Sequence, residues 1–383
     1  MSDDIVIRKA ASRASDAATA IRQVHDALGG GGSALTILYC APTYDLEVLG
    51  REIATLFGDR PVIGCTTAGE ITPIGYLEGS ITGVSIGGDG LKATTTAIDG
   101  LKNLSLTQGD EAAKKARAAL RDITGDPSST NIFGFLLVDG LSMREESLIN
   151  SLYHTLGSIQ LFGGSAGDGT RFNRTAVYYQ GKFSSDRALL TLFHTKLPFH
   201  VFKTEHFVPT DMKMVVTAAD PDRRTVIEIN GEPAGREYAR VLGLEVDKLT
   251  PFIFARNPVV VSVGNTPYVR AIQKMNDDES IQFACAIDEG IVLTVARGVD
   301  MVSNLEEAFA AVRARIGEPS LVLGCDCILR FLEDQDLGIR DRIGEIMMRN
   351  NVVGFATYGE QYNAMHVNQT FTGVALGSSR ARV

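Results

Sequence analysis

The sequence predicts an α/β protein whose mixed sheets, α+β in character, are built in two halves from repeated helix-strand-helix-strand units. Three observations carry this. A phrase near the front, "VIGCTTAGEITPIGYLEGSITGVSIG" from Val62, returns near the end as "VVGFATYGEQYNAMHVNQTFTGVALG" from Val352. Laid side by side without a gap, the two agree at Gly64 and Gly354, Thr67 and Thr357, Gly69 and Gly359, Glu70 and Glu360, then at Thr82, Gly83, Val84 and Gly87 with their counterparts. The same order of elements precedes each phrase, which is the mark of an internal repeat. From about Pro198 to Asp300 the pattern changes to strand signals, so the halves are placed at 1–200 and 201–383.

The elements follow in order. "SDAATAIRQVHDALG" carries Ala18, Ile21, Val24 and Leu28 on one helical face, with Ser15 or Asp16 as cap and Gly29 as stop. "LTILYC" is a short buried strand. "DLEVLGREIATLFG" is a second helix, stopped by Gly58. A strand, a glycine turn and a further strand complete the unit. A second copy reads "DEAAKKARAAL", "IFGFLLVDG", "REESLINSLYHTLG" and "LFGGSAGDG", with Phe162 in the position of Gly64 and "SAGD" in that of "TAGE". A third reads "SNLEEAFAAVRARIG", with Ser303 and Glu306 in capping-box spacing, then "SLVLGC", "DLGIRDRIGEIMMRN" and the closing phrase. Between them "TVIEING", "PVVVSVGN" with its Gly-Asn end at Asn265, "YVRAIQKM" and "GIVLTVAR" read as strands, and "PAGREYARVLG" as a helix.

Composition excludes several roles. The 383 residues are 44% hydrophobic, enough for sizeable cores. A net charge of -9 argues against a nucleic-acid partner, since no broad positive surface is available for a phosphate backbone. No run approaches the roughly 20 apolar residues of a membrane helix, and "MSDDIVIRKA" lacks the apolar core of a signal peptide. The expectation is a cytoplasmic protein without membrane insertion. Five cysteines, an odd number in a large chain, point to reduced thiols. "GGGGS" at Gly29 has no lysine partner and "GGDGLK" at Gly87 reads as a hairpin tip, so neither cradles phosphate.

Each copy runs a buried strand into a glycine turn, where positive φ would let the backbone bend sharply and approach a guest. Ligands of open α/β sheets bind at the carboxyl ends of strands, where these turns sit. Thr67 and Glu70, and Thr357, Tyr358 and Glu360, are then candidates to line a recess. Alternatively the glycines only make turns, and Glu70, Asp168 and Glu360 cap backbone amides. "MHVNQTFT" reads as one strand with His366, Asn368, Thr370 and Thr372 on a single face, lining a polar cavity or facing water. Arg270, alternating with Tyr268, offers a fork of donors for a carboxylate, or an ion pair. The spacing of Cys325 and Cys327 is not that of a zinc site. Cys65 has no indicated base, which ranks a cysteine-dependent enzyme last among the readings.

"GCTTAGE", "GGSAGD" and above all "GFATYGEQY" followed by "HVNQTFTG" resemble the FIST family of sensory modules, and "TVIEINGEPAGREYARVLG" resembles the start of its C-terminal region. The resemblance runs from about Leu35 to Gly377. It implies a FIST N-terminal and a FIST C-terminal domain, a small-molecule or gaseous ligand, signal transduction and no catalytic apparatus. The chain looks like a bacterial subset that binds haem b, senses nitric oxide and signals to a histidine kinase or a cyclic-di-GMP enzyme. An amino acid or similar metabolite, without haem, is the alternative. A haem iron would take an imidazole in an apolar pocket. His366, in the most specific motif, is the first candidate ligand, followed by His194, His200 and His206 in the aromatic stretch joining the halves. His25 and His154 lie on helices.

Overall fold

A computed structural model describes residues 5–264 and 266–378; Asn265, the expected end of the Gly-Asn turn, lies outside them. The architecture is α/β with mixed sheets, and the repeats account for most of it. Each copy contributes an outer strand, a returning strand, a central strand and a strand parallel to the central one. In the first copy these are Val6–Ser12, Ile81–Gly87, Ser33–Cys40 and Val62–Thr66, neighbours in that order. In the second they are Leu91–Asp99, Arg187–Thr195, Ile132–Val138 and Gln160–Ser165. In the third they are Phe199–Glu205, Thr370–Leu376, Leu321–Cys327 and Val352–Thr357.

Every one of these sheets is completed by a hairpin from another copy. After its bend the first copy sends Glu70–Thr72 and Gly75–Leu77 to the third sheet, pairing Ile71 with Gly354. The second sends Val177–Tyr179 and Lys182–Ser184 to the first sheet, and the third sends Glu360–Tyr362 and Met365–Val367 to the second. The three copies therefore form a closed cycle. Their inner faces share one core, including Ile37, Tyr39 and Cys65, Phe133, Phe135 and Phe162, and Leu323, Cys325 and Phe355. Helices cover each outer face over a separate core. Strands covered on both sides need no polar alternation, which is why "LTILYC" and "IFGFLLV" read as continuous apolar runs.

Several expectations shift by small, explicable amounts. The helices at Ala17–Leu28 and Leu46–Phe57 start on Asp16 and Asp45, whose carboxylates accept backbone N–H bonds, and stop at Gly29 and Gly58 as expected. Ser303 is not a cap; Asp300 accepts from its amide and begins the helix Met301–Ile316. "DLGIRDRIGEIMMRN" is not one helix, because Gly338 at φ 66° separates Ile328–Asp336 from Arg340–Arg349. "GGDGLK" is no hairpin tip: the strands on either side, Ile81–Gly87 and Leu91–Asp99, belong to different sheets. "MHVNQTFT" is broken at Gln369, at φ 51°, so that His366 and Thr370 also lie in different sheets.

Glycine at Gly64 and Gly354 serves close approach rather than turning. An added Cβ would lie 2.4 Å from the carbonyl oxygen of Leu38 and 1.9 Å from that of Gly324. In the second copy Gly163, not Phe162, holds this place, opposite Leu136. The segment Phe207–Gly298, inserted between the outer strand and first helix of the third copy, forms its own bent sheet. This sheet is centred on the long strand Phe207–Asp220, which the sequence reading missed, and packs on helix Ala234–Leu242. "YVRAIQKM" splits there into Thr266–Arg270 and Ile272–Met275, at opposite edges of that sheet.

Gly354→Ala is expected to lower stability by about 3 kcal/mol or more, since backbone on backbone has no room to relax. Gly32→Ala, with open space around it, is expected to stay within about 0.5 kcal/mol. Urea unfolding midpoints of the two variants check this.

Candidate functional site

The three bends meet and tie to one another. Ala68 N–H donates to Ala356 O at 2.9 Å, Gly167 N–H to Thr66 O at 3.0 Å, and Tyr358 N–H to Ser165 O at 3.1 Å. By this pattern Asp168 stands one position earlier than Glu70 and Glu360, and it does other work: it accepts from the amides of Asn173 and Arg174 and from the Tyr358 hydroxyl. Small residues are required where the bends cross. Gly69, at φ 150°, has the Phe331 ring 2.9 Å from where a Cβ would be, and at Gly359 the imidazole of His366 occupies that space at 2.3 Å.

Beside each of two bends a buried carboxyl locks the departing hairpin. Glu70 Oε1 meets the Thr67 hydroxyl at 2.5 Å, and its Oε2 accepts from Ser80 N and Oγ at 3.1 and 2.7 Å. Glu360 repeats the arrangement with Thr357 and with Thr370 N and Oγ, the latter two at 3.3 and 2.9 Å. Burial pushes Glu70 up to about 7 against the bonds from Thr67 and Ser80. It pushes Glu360 up to about 8 against Thr357 and Thr370, with Asp326 adding repulsion. A protonated Glu70 fits the contacts, since its O–H can donate to Thr67 while the Thr67 hydroxyl donates to Cys40 O at 3.3 Å. Thr67, Glu70, Thr357, Glu360 and Thr370 are thus brought together in two equivalent clusters whose polar atoms bond one another.

A cavity of about 500 Å³ opens next to the bends, between the repeats and the inserted sheet. Leu141 and Met143 come from the loop after the second central strand, Glu145 from the start of the helix Glu145–Leu156, and Thr170, Arg171 and Phe172 from the loop after the second bend. Ile328, Leu329 and Leu332 come from the helix Ile328–Asp336, while Arg224, Ala271, Lys274 and Phe283 come from the inserted sheet. Tyr358 and Asn368 complete the wall. Met143, Phe172 and Arg224 all hold positive φ, at 55°, 49° and 51°. Such backbone is costly for residues of this size and tends to collect at ligand sites. A second recess of about 580 Å³ adjoins it, sharing Thr170, Arg171, Pro251, Ile328 and Leu332 and lined also by Thr67 and Glu70.

The polar groups of the cavity divide into spent and unspent. Arg224 donates to Glu145 at 2.8 Å, to Glu146 at 2.6 Å and to Ala284 O at 2.8 Å. Burial pushes the Glu146 carboxyl up, but His366 and Arg224 outweigh it and hold the group below its ordinary value. The Tyr358 hydroxyl engages Asp168 and Gly169 O, and its ring stacks on Phe172 at 4.6 Å. Asn368, only 1% exposed, has no partner for its Oδ1 among the described residues. Arg171 and Lys274 form no ion pair among the described residues.

Of the residues singled out in the sequence, then, Tyr358 and Asn368 line the cavity and Thr67 and Glu70 the adjoining recess. Arg270 is next to the wall residue Ala271, its buried Nε without a partner. His366 is 6% exposed and behind the wall, with Nδ1 unpartnered and Nε2 3.5 Å from Asn368 Nδ2. His194 and His200 are half-buried elsewhere, and His206 is fully enclosed. Glu145, Arg224, Phe172 and the helix Ile328–Asp336 were not anticipated. The one available signal was "ILRFLED", whose apolar residues follow directly on the distracting Cys325 and Cys327. All five cysteines are free and buried. Burial raises the Cys65 thiol well above its ordinary value, the reverse of what a nucleophile requires. Among the described residues no cluster of three or more His, Cys, Asp or Glu is arranged for a metal, and no helix is long and apolar enough to cross a membrane.

Repeated α/β units closing a partly polar cavity at their strand ends define a ligand-binding protein. The chain belongs to the FIST family: the FIST N domain matches residues 34–232 and the FIST C domain residues 234–363. FIST domains are sensory domains that bind small ligands in signal transduction. The chain is also similar to the uncharacterized protein MJ1623 of Methanocaldococcus jannaschii, at 22% identity over 362 residues, which cover 84% of this chain and 68% of that protein.

The two raised carboxyls give a pH signature. The folded state keeps protons that the unfolded chain releases near pH 4.5, so their contribution is full below that pH and is lost as pH rises through about 7 and about 8. The double variant Glu70→Gln, Glu360→Gln is therefore expected to gain stability relative to the parent between about pH 5 and about pH 8.5. The gain should be on the order of 1–3 kcal/mol per carboxyl. Urea midpoints at the two pH values check it, and parallel midpoints would contradict it.

Proposed function

We propose that this chain is a cytoplasmic sensor of a small polar metabolite of amino-acid size, held in the cavity between the bends and the inserted sheet. The observation that supports it is the composition of the wall. Leu141, Phe172, Ile328 and Leu329 offer an apolar bed, Asn368 presents a buried amide oxygen with no partner among the described residues, and the exposed cations Lys274 and Arg171, the latter donating through Nε to Asp168 O, form no ion pair among the described residues. A ligand carrying an acid group and an N–H or O–H donor satisfies both. The volume, about 500 Å³, lies within the range of small-molecule sites. The signal would pass to a partner histidine kinase or cyclic-di-GMP enzyme. The inserted sheet, which closes the cavity, exposes Val215 and its cross-strand neighbour Val292 on its outer face.

The haem b reading, with nitric oxide as the signal, draws on the unpartnered Nδ1 of His366. The residues fit it less well. Among the described residues no histidine lines the cavity, and the ring of His366 is wedged against Gly359. Of the wall residues with a ligating atom, Tyr358 has its hydroxyl held by Asp168, Cys327 has a thiol that burial raises well above its ordinary value, and Met143 offers a thioether alone.

Thermal melting against a panel of amino acids and small carboxylic acids tests the proposal. One member is expected to stabilise the protein by about 2.7 kcal/mol at about a hundred times its Kd. Asn368→Leu should abolish that gain. Absorption spectra after haem reconstitution run beside it: a Soret band lost in His366→Ala would replace this reading with the haem one.

A further inference from the structure

The helix Ile328–Asp336 faces the cavity with Ile328, Leu329 and Leu332, and on its adjoining face carries Arg330 and Glu333 into the protein. Both reach one residue. Arg330 Nη1 lies 2.8 Å from His206 Nδ1, and Glu333 Oε2 lies 2.9 Å from His206 Nε2. A guanidinium can only donate, so Nδ1 accepts, and the ring is the neutral Nε2–H tautomer donating to Glu333. Burial, opposed by Glu333 and helped by Arg330, pushes His206 below its ordinary value, in agreement with that tautomer.

His206 is also where the inserted segment leaves the repeats. Its carbonyl accepts from Val299 N–H at 2.7 Å, where the segment returns, and its ring lies against Phe207 at 4.1 Å. The two crossing chains are thus pinned at one point, and that point is held by the helix that walls the cavity. Arg330 continues the chain of contacts to Asp326 at 2.7 Å, and Asp326 accepts from Tyr76 at 2.5 Å. Yet Arg330 Nη2, on a fully buried side chain, has no partner among the described residues. An unpartnered donor on a buried cation is costly, and any rearrangement that pairs it recovers part of the cost.

We infer that Arg330, His206 and Glu333 are positioning residues that couple cavity occupancy to the hinge of the inserted sheet. A guest pressing on Leu329 and Leu332 displaces the helix, and the displacement is delivered to the two strands crossing at His206 and Val299. The inference rests on the cavity being the ligand site. Its test fills the cavity with a side chain, so that failure of the coupling and failure of every metabolite to bind are separate results.

Leu332→Trp, at a half-buried position, serves as the filler, and hydrogen exchange of peptides spanning the His206 and Val299 crossings is the readout. Exchange there is expected to change by about threefold or more. Combined with His206→Leu, Leu332→Trp should leave those peptides unchanged. His206→Gln, whose amide can accept from Arg330 and donate to Glu333, should restore the response. Should His206→Leu not fold, Glu333→Met takes its place. An equal response with and without His206, or none in the parent, overturns the inference.

Discussion

The structure depends on strands leaving one sheet for the next. At each bend the backbone must pass between neighbouring copies within hydrogen-bond reach of the following bend, and side chains larger than hydrogen or methyl have little room there. Gly69, Gly167 and Gly359 answer that need, and so does the Thr and Glu chemistry beside two of the bends. A carboxyl buried this deeply is stable only if it stays protonated or is fully bonded. Glu70 and Glu360 are bonded through both oxygens, which converts a polar residue in a covered place into a clamp for the hairpin that has just crossed.

The recess follows from the same geometry. Where bends converge, strand ends cannot all be covered by their own side chains, and a gap is left on the side facing the inserted sheet. The third copy differs from the first at residues in and just behind the wall of this gap. Tyr358 replaces Ala68 and reaches Asp168; Asn368 and His366 stand on a hairpin whose first-copy counterpart carries Glu78 and Tyr76, and Tyr76 is turned instead toward Asp326. The repeated scaffold thus carries different residues at corresponding strand ends: one junction borders the cavity, and another holds the buried contacts of Tyr76, Asp326 and Arg330.

Much of this was legible in the chain itself. Repetition of "TxGE" with the helices before it gave the α/β class, the unit and the importance of the bends, because strongly periodic helices with capping residues leave clear traces. Register and partner were not legible. Nothing in "EITPIGYL" says that the hairpin joins the third sheet, since cross-copy pairing is decided by long-range packing. The same holds for Glu145 and Arg224, which are far apart in sequence and meet only once the inserted segment folds over the second copy. The Thr and Glu residues were marked by their repetition, but repetition reports shared architecture as readily as shared binding, and here their atoms are occupied by one another.

The exchanged hairpins carry a consequence for autonomy. In solenoids a unit touches its neighbours only across a face and can be trimmed or multiplied. In this ring each sheet borrows its last two strands, so cutting anywhere between copies exposes an unfinished edge on two sheets at once. Neither the FIST N stretch nor the FIST C stretch contains all the strands needed to finish its own sheets. The two family segments are thus halves of a single interlocked object, each finishing the sheets of the other.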